Sequence, residues 1–136
     1  GVIIPETVHY FFSSVISGIE DVAYDAGYNI MICQSNELYT REKSNANMLF
    51  SNRVDGLLVS ISKETLDFDH LKFFMQNNIP VVCFDRGTEA LQCDQIIIDD
   101  YSAAFKIVDY LVAIEPHCRC CRGVALLRLV HFATHV

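Results

Sequence analysis

A charged pair at the end of an apolar segment is the first feature of this sequence that could do chemistry. Residues 79–84 read Ile-Pro-Val-Val-Cys-Phe, and Asp85 and Arg86 follow directly. A carboxylate accepts hydrogen bonds and a guanidinium offers five N–H donors, so the two together suit a small molecule rich in hydroxyl groups. In an open α/β sheet such ligands bind outside the carboxyl ends of the strands. The alternative is a salt bridge at a strand end.

An aromatic-rich segment near the start of the chain is the second candidate. Residues 5–12 read Pro-Glu-Thr-Val-His-Tyr-Phe-Phe, and the candidate ligand-binding residues in it are Glu6, His9, Tyr10, Phe11 and Phe12. Aromatic rings stack on a sugar ring or a planar base, and neighbouring polar groups fix the orientation of the ligand. Phe12 keeps helical register with the apolar residues after it, so a buried helix face is the alternative for Phe12. Phe11 is out of that register.

The elements that must position these residues follow from the hydrophobic pattern. Apolar segments of strand type at 2–4, 28–33, 54–60, 79–84, 94–98 and 123–127 alternate with stretches of helical period at about 12–26, 40–52, 66–75 and 103–112. Continuous apolar strands separated by amphipathic helices are typical of a parallel sheet covered on both faces. The sequence therefore predicts an α/β fold with three αβα layers. Gly27 is expected to end the first helix.

Composition and missing motifs exclude several classes of function. The 136 residues carry a formal net charge of −7, so no basic surface for nucleic acid is expected on this segment. The phosphate-binding patterns G-x-G-x-x-G and G-x-x-x-x-G-K-[ST] and the elbow G-x-S-x-G are absent. We therefore expect no cofactor and no enzymatic activity. Neither a signal peptide nor a membrane span is predicted.

Cysteine and aspartate clusters offer weaker alternatives. The run of Cys118, Cys120 and Cys121 beside a histidine could bind a soft metal, but a second ligand pair at a recognised spacing is missing, so no metal is expected. Unpaired thiols favour a reducing cytoplasm. Asp99 and Asp100 face opposite ways if they lie on a strand, so a turn or helix cap is the favoured interpretation.

Several short motifs, taken in order, resemble the ligand-binding domain of LacI-family transcription regulators, which is itself similar to periplasmic sugar-binding proteins. They are residues 1–5 (Gly-Val-Ile-Ile-Pro), 10–12 (Tyr-Phe-Phe), 18–20 (Gly-Ile-Glu), 26–29 (Ala-Gly-Tyr-Asn), 53–60 (Arg-Val-Asp-Gly-Leu-Leu-Val-Ser), 79–82 (Ile-Pro-Val-Val), 85–86 (Asp-Arg) and 98–101 (Ile-Asp-Asp-Tyr). The resemblance covers about residues 1–113. It implies a type I periplasmic-binding-protein-like domain, in which a small effector, usually a sugar or nucleoside-like molecule, binds between two lobes.

The resemblance also implies roles for individual residues. Phe11 and Phe12 would pack on the ligand ring, and Asp85 and Arg86 would bind its polar groups. Ser60 would line the same crevice. The position of His9 is commonly Asn in this family, and Pro commonly follows it where this chain has Tyr10.

The implied organisation is that of a fragment. Residues 1–98 would form the N-terminal lobe of the effector-binding domain, and residues 99–136 the crossover and the start of a second lobe, with an aberrant tail from 114. Operator DNA would be bound by a helix-turn-helix domain outside this chain, and the whole protein would be a cytoplasmic homodimer with no membrane contact. Two alternatives stay open: a substrate-binding protein of an ABC sugar importer, and a small enzyme of flavodoxin-like shape.

Overall fold

The computed structural model describes residues 1–8 and 10–114, which divide into two compact units between Ile97 and Ile98. His9, the strand predicted at 123–127 and the cysteine-rich stretch 118–121 lie outside the described residues. The first unit, Gly1–Ile97, carries the sheet and the candidate site. Whether the two units correspond to the predicted lobe and crossover stays a prediction.

A parallel sheet forms the centre of the first unit. Within the described ranges it has five strands in the order β2-β1-β3-β4-β5, all paired in parallel. The strands are β1 (Val2–Ile4), β2 (Ile32–Gln34), β3 (Leu57–Val59), β4 (Val81–Phe84) and β5 (Asp94–Ile96). The predicted α/β class and parallel sheet are confirmed.

The strands are shorter than the apolar segments that predicted them. The second strand was expected from residue 28, but β2 begins at Ile32 because its ladder with β1 starts at the pair of Val2 and Ile32. Tyr28 precedes the ladder and is exposed. The apolar segment therefore predicted the position of β2 correctly. The residue at which β2 begins depends on where the neighbouring strand β1 begins.

Helices fill three of the four connections between the strands, and the connection from β4 to β5 contains none. In the first unit they are α1 (Tyr10–Asp25), α2 (Tyr39–Ser51) and α3 (Asp69–Gln76). Helix α1 ends at Asp25, and Gly27 follows as the predicted stop, with a φ of +78°, a left-handed conformation that glycine adopts without strain. The amide of Tyr28 then donates to the carbonyl of Ala23 at 2.8 Å, which closes the helix end.

The two faces of the sheet have separate hydrophobic cores. Val2, Ile4 and Phe84 pack with Phe12 of α1 on one face. Ile3 points to the other face, where the core includes Ala46 and Leu49 of α2 and Leu71 and Phe74 of α3. Because successive side chains of a strand alternate between faces, β1 contributes to both cores. The predicted three-layer arrangement is confirmed.

The described part of the second unit, residues 98–114, contains α4 (Asp100–Ile114). Asp99 lies directly before it and accepts hydrogen bonds from the amide of Ser102 at 2.9 Å and from its hydroxyl at 2.6 Å. This is the pattern of a helix N-cap, so the cap interpretation of the aspartate pair is confirmed. Among residues 1–8 and 10–114, none of the helices combines the length and apolar character needed to cross a bilayer.

Candidate functional site

The carboxyl ends of the strands form the edge at which the candidate residues meet. Strands β2 and β3 flank β1, so the chain reverses its direction of travel across the sheet at β1. In open α/β sheets the crevice beside such a switch point is the usual ligand site. The segments that follow β2, β3 and β4 at this edge carry Glu37, Ser60 and the pair Asp85 and Arg86.

Arg86 ties three of these segments together. Its Nη1 donates to Glu37 Oε2 at 2.7 Å and its Nη2 donates to Glu37 Oε1 at 2.8 Å, a bidentate ion pair. Nη1 also donates to the carbonyl of Ile61 at 2.8 Å. The hydrogen bond from Arg86 lowers the pKa of Glu37, and the same bond raises the pKa of Arg86. Both groups are therefore charged at neutral pH, and the loops after β2, β3 and β4 are fixed to one another.

Asp85 has a different environment from Arg86. Its Oδ2 accepts a hydrogen bond from the hydroxyl of Ser60 at 3.2 Å and lies 3.8 Å from Arg86 Nε. Its Oδ1 accepts no hydrogen bond from the described residues. The side chain is 29 % exposed. The salt bridge that the sequence offered as the alternative therefore forms mainly between Arg86 and Glu37. Oδ1 of Asp85 remains an acceptor without a hydrogen-bond donor among the described residues.

Three of the five non-glycine residues with positive φ in the described part of the chain lie at this edge, and the other two, Arg53 and Asn78, precede β3 and β4. Asp85 has a φ of +66°, and Asn36 and Glu37 have φ values of +52° and +62°. Non-glycine residues adopt this left-handed region rarely, although aspartate and asparagine do so more readily than others. Strained residues cluster at ligand-binding sites, where the surrounding structure holds them in place. Here the amide of Asp85, bonded to the carbonyl of Ile96 at 3.0 Å, is part of that support.

The aromatic residues of the first connection divide into two groups. Phe12 is buried, with 6 % exposure, in the core between α1 and the sheet, as its helical register indicated. Phe11 is 47 % exposed and packs edge-on against Phe12 with ring centroids 5.1 Å apart. Tyr10 is exposed. Phe11 is therefore the ring supported by the core and still open to a ligand.

Not every predicted residue joins the network around Asp85. The structure brings Ser60, Asp85 and Arg86 together through direct contacts. Glu6 is half-buried just after β1, in the segment that leads to Tyr10 and Phe11. His9 lies outside the described residues. The roles assigned to these residues stay predictions.

A buried polar network lies beneath the edge. Glu42 of α2 is fully buried; its Oε1 lies 2.9 Å from His70 Nε2 and accepts from the hydroxyl of Thr65 at 3.0 Å. Its Oε2 accepts from the amide of Ser62 at 2.6 Å. The hydroxyl of Ser62 in turn donates to that of Ser35 at 2.8 Å. The network thus fixes the loop after β3 from below.

The protonation state of Glu42 follows from these contacts. Burial alone disfavours the ionised carboxyl, but the hydrogen bonds from His70, Ser62 and Thr65 outweigh it and lower the pKa of Glu42. A charged, fully hydrogen-bonded carboxylate therefore sits inside the first unit. Among the described residues, no group of three or more His, Cys, Asp or Glu side chains is arranged to hold a metal ion.

Sequence reasoning missed Glu37 and Glu42. Glu37 closes the loop after β2 at the same edge as Arg86, and an arginine at a strand end needs a carboxylate partner, so a signal was present. Glu42 lies in α2, whose sequence is mostly polar, so the sequence alone does not distinguish this buried glutamate from the exposed polar residues around it.

Comparison with known proteins identifies the family of this chain. The family model described as periplasmic binding proteins and sugar binding domain of LacI family matches residues 1–129. The chain belongs to that family. A relative from it is the HTH-type transcriptional repressor PurR of Vibrio campbellii, 31 % identical over 112 residues, which are 82 % of this chain and 33 % of the repressor. The chain thus spans about a third of the length of the curated relatives that it matches.

Solved structures of LacI-family regulators share the fold. A periplasmic binding protein/LacI transcriptional regulator from Alkaliphilus metalliredigens, complexed with D-xylulofuranose, is 29 % identical with a TM-score of 0.66, covering 88 % of this chain and 41 % of that one. The Cra transcriptional dual regulator from Pseudomonas putida, in complex with fructose 1-phosphate, has a TM-score of 0.75 over 83 % of this chain and 42 % of that one. At 21 % identity, the second likeness supports the fold alone.

Proposed function

We propose that this chain is the effector-binding portion of a LacI-like bacterial transcription regulator. The observation that carries the proposal is Asp85: a partly exposed carboxylate, oriented by Ser60 and by a strained backbone, at the carboxyl edge of the sheet. Such a group binds hydroxyl donors of a small molecule with little cost of reorganisation. Membership of the family and the likeness to repressors support a sensing role rather than a catalytic one.

The charges at the edge favour an uncharged ligand. Arg86 directs both Nη atoms to Glu37 and to the carbonyl of Ile61, so its charge is already compensated. The second carboxylate, Asp85, would repel a phosphate or carboxylate placed beside it. A hydroxyl group, in contrast, donates to Asp85 Oδ1 and leaves the Arg86–Glu37 pair intact. We therefore propose a neutral sugar or nucleoside as the effector.

The proposed mechanism is hinge closure. A ligand held by Asp85 on this side and by a second lobe on the other favours one arrangement of the lobes, and that bias would reach a helix-turn-helix domain through a dimer contact. Effector and operator affinities are then coupled reciprocally. In this proposal the protein is a cytoplasmic homodimer, and neither the second lobe nor the DNA-binding domain is supplied by the residues described.

A ligand screen on the product of the complete gene tests the proposal. Because a ligand that binds only the folded state stabilises it by mass action, about 2.7 kcal/mol at a hundredfold excess over Kd, one neutral sugar or nucleoside should raise the melting temperature by several degrees. The same compound should change operator affinity, measured by fluorescence anisotropy. A shift without any effect on DNA, together with a signal peptide upstream, would instead favour the importer-type binding protein.

Replacement of Glu37 by glutamine tests the charge argument. Glu37→Gln removes the charge that compensates Arg86 and keeps the size of the side chain. We expect the affinity for the phosphate ester of the preferred sugar to rise about tenfold relative to the neutral sugar, as one charge-assisted hydrogen bond becomes available. Isothermal titration with both compounds measures this ratio, and Glu64→Gln, at an exposed position, is the matched control. An unchanged ratio would count against the charge argument.

A further inference from the structure

Two cysteines of the first unit place their sulfur atoms in contact. Cys83 lies in β4 and is fully buried, and Cys93 lies directly before β5 and is half-buried. Their Sγ atoms are 3.5 Å apart, and both are free thiols. A disulfide has an S–S distance of about 2.05 Å, so a movement of about 1.5 Å would join them.

The surrounding structure holds this contact in place. Strands β4 and β5 run in parallel with Cys83 opposite Gln95, so Cys93 sits two residues before the partner of Cys83. The side chain of Gln95 bonds both the amide and the carbonyl of Thr88, at 3.1 Å and 2.6 Å. Leu91 is buried in the core that contains Cys83, and Cys93 packs against that core. The connection from β4 to β5 is thus anchored at several points, and the two sulfur atoms meet within a fixed frame.

Solvent reaches this pair from one side. Cys93 lines an open cavity of about 550 Å³ at the amino ends of β4 and β5, the edge opposite to Asp85. Met75, Pro80 and Asp94 are among its other lining residues. A small oxidant can therefore approach Cys93, whereas Cys83 is shielded behind it.

We propose that Cys83 and Cys93 form an oxidisable pair that a hydroperoxide converts into an intramolecular disulfide. The Cys93 thiolate attacks the peroxide oxygen: an S–O bond forms, the O–O bond breaks, and the leaving oxygen takes a proton to become an alcohol or water. The sulfur of Cys83 then attacks that of Cys93: the S–S bond forms, the S–O bond breaks, and the departing hydroxide takes the Cys83 proton as water. In sum, two thiols are oxidised by two electrons and one peroxide is reduced.

The environments of the two thiols explain why Cys93 reacts with the peroxide first and Cys83 second. Burial, then the hydrogen bond and the charge of Cys93, raise the pKa of Cys83 to about 12. The thiolate is the reactive form, so Cys83 is inert toward peroxide while Cys93 is reduced. Oxidation of Cys93 to the sulfenic acid makes its sulfur an electrophile, in contact with the sulfur of Cys83. Cys83 therefore acts as the resolving thiol.

The pair is close in sequence to the candidate site. Asp85 and Arg86 follow Cys83 by two and three residues, and the disulfide would close the ring of residues 83–93 that contains them. Oxidation therefore constrains the segment that carries the ligand-binding carboxylate. The pair itself stands on the sulfur contact and its accessibility, and it does not depend on the identity of the effector.

Peptide mapping of the complete gene product tests the proposal. Trypsin cuts after Lys72, Arg86 and Lys106, so Cys83 and Cys93 fall in separate peptides, 73–86 and 87–106, each with a single cysteine. Reduced protein is treated with a few equivalents of hydrogen peroxide, blocked with N-ethylmaleimide after unfolding, and digested. We expect the two peptides joined, with a mass two hydrogens below their sum, and restored by dithiothreitol. Cys33, in the peptide that ends at Arg41, should stay fully alkylated.

Single variants test the order of the steps. Cys83→Ala should leave Cys93 as a sulfenic acid that a dimedone probe labels, and Cys93→Ser should leave Cys83 unoxidised at the same peroxide concentration. Cys33→Ser is the matched control and should form the disulfide like the unaltered protein. Three results would overturn the proposal: Cys93 oxidised to sulfinic acid without a linked peptide, Cys83 or Cys93 linked mainly to another cysteine, or both thiols as slow to react as Cys33. If a variant fails to fold, peptide mapping of the unaltered protein still shows whether the disulfide between Cys83 and Cys93 forms.

Discussion

Replacement of Glu42 by alanine is expected to lower the free energy of unfolding by about 3 kcal/mol, because buried hydrogen-bond donors lose their acceptor at about 1–3 kcal/mol for each group left unsatisfied. The carboxylate is the shared acceptor for His70, the Ser62 amide and the Thr65 hydroxyl, and all three lie in the interior. Each of these donors would lose its partner where water does not readily replace it. Urea unfolding followed by circular dichroism measures the loss.

A matched pair of variants separates burial from charge. Glu64→Ala removes an exposed glutamate from the loop after β3, which Glu42 contacts through Ser62 and Thr65, and should change the free energy of unfolding by no more than about 0.5 kcal/mol. Glu42→Gln keeps the size and one acceptor oxygen, so its effect should lie between those of the two alanine variants. If Glu42→Ala were as mild as Glu64→Ala, the buried network would not contribute as its geometry indicates.

The pH dependence of stability has a definite sign here. The pKa of Glu42 in the folded protein lies below its usual value of 4.5, so its contribution is complete above about pH 4.5. It is lost as the pH falls through the folded-state value, because the unfolded chain then binds the proton more readily than the folded one does. Unfolding free energies at pH 6 and pH 3.5 should therefore differ less in Glu42→Gln than in the unaltered protein.

The parallel sheet could be predicted from sequence because its signal is local. An apolar run such as 79–84 indicates by itself a largely buried strand, as β4 is, and Gly27 indicates a helix end. The runs that became β2 and β5 lie at the edges of the sheet and are mostly exposed. The strand order β2-β1-β3-β4-β5 has no such local signal. It is also the order of flavodoxin-like folds, so the order does not separate a binding domain from that enzyme class. Only the family match did so.

The partners within the site needed the tertiary structure. Helical register was enough to separate the buried Phe12 from the exposed Phe11, because both lie on one helix. Glu37 and Arg86 are 49 residues apart, and their ion pair depends on how the loops after β2 and β4 approach each other. Glu42 and His70 likewise meet only when α2 and α3 pack side by side. Sequence reasoning found the charged pair at the strand end and not the carboxylate that compensates it.

The ion pair between Glu37 and Arg86 changes the role that is expected of Asp85. Because Glu37 compensates Arg86, the ligand-binding charge at this edge is the Asp85 carboxylate, and its removal should weaken effector binding strongly. We expect Asp85→Asn to raise the Kd of the neutral effector by about 10- to 100-fold, equivalent to about 1.5–3 kcal/mol for a hydrogen bond to a charged group. Isothermal titration on the complete gene product measures the change.

Asparagine is the informative substitution because of the backbone. With φ at +66°, position 85 accepts Asp or Asn, whereas alanine would add strain that confuses a binding measurement with a folding defect. Asp55→Asn, at an exposed position just before β3 at the opposite edge of the sheet, is the matched control and should leave Kd unchanged. Since Ser60 still has an oxygen acceptor in Asp85→Asn, a normal melting temperature with weakened binding would assign the loss to the charge. An unaltered Kd in Asp85→Asn would remove Asp85 from the binding site and with it the observation on which the proposed function rests.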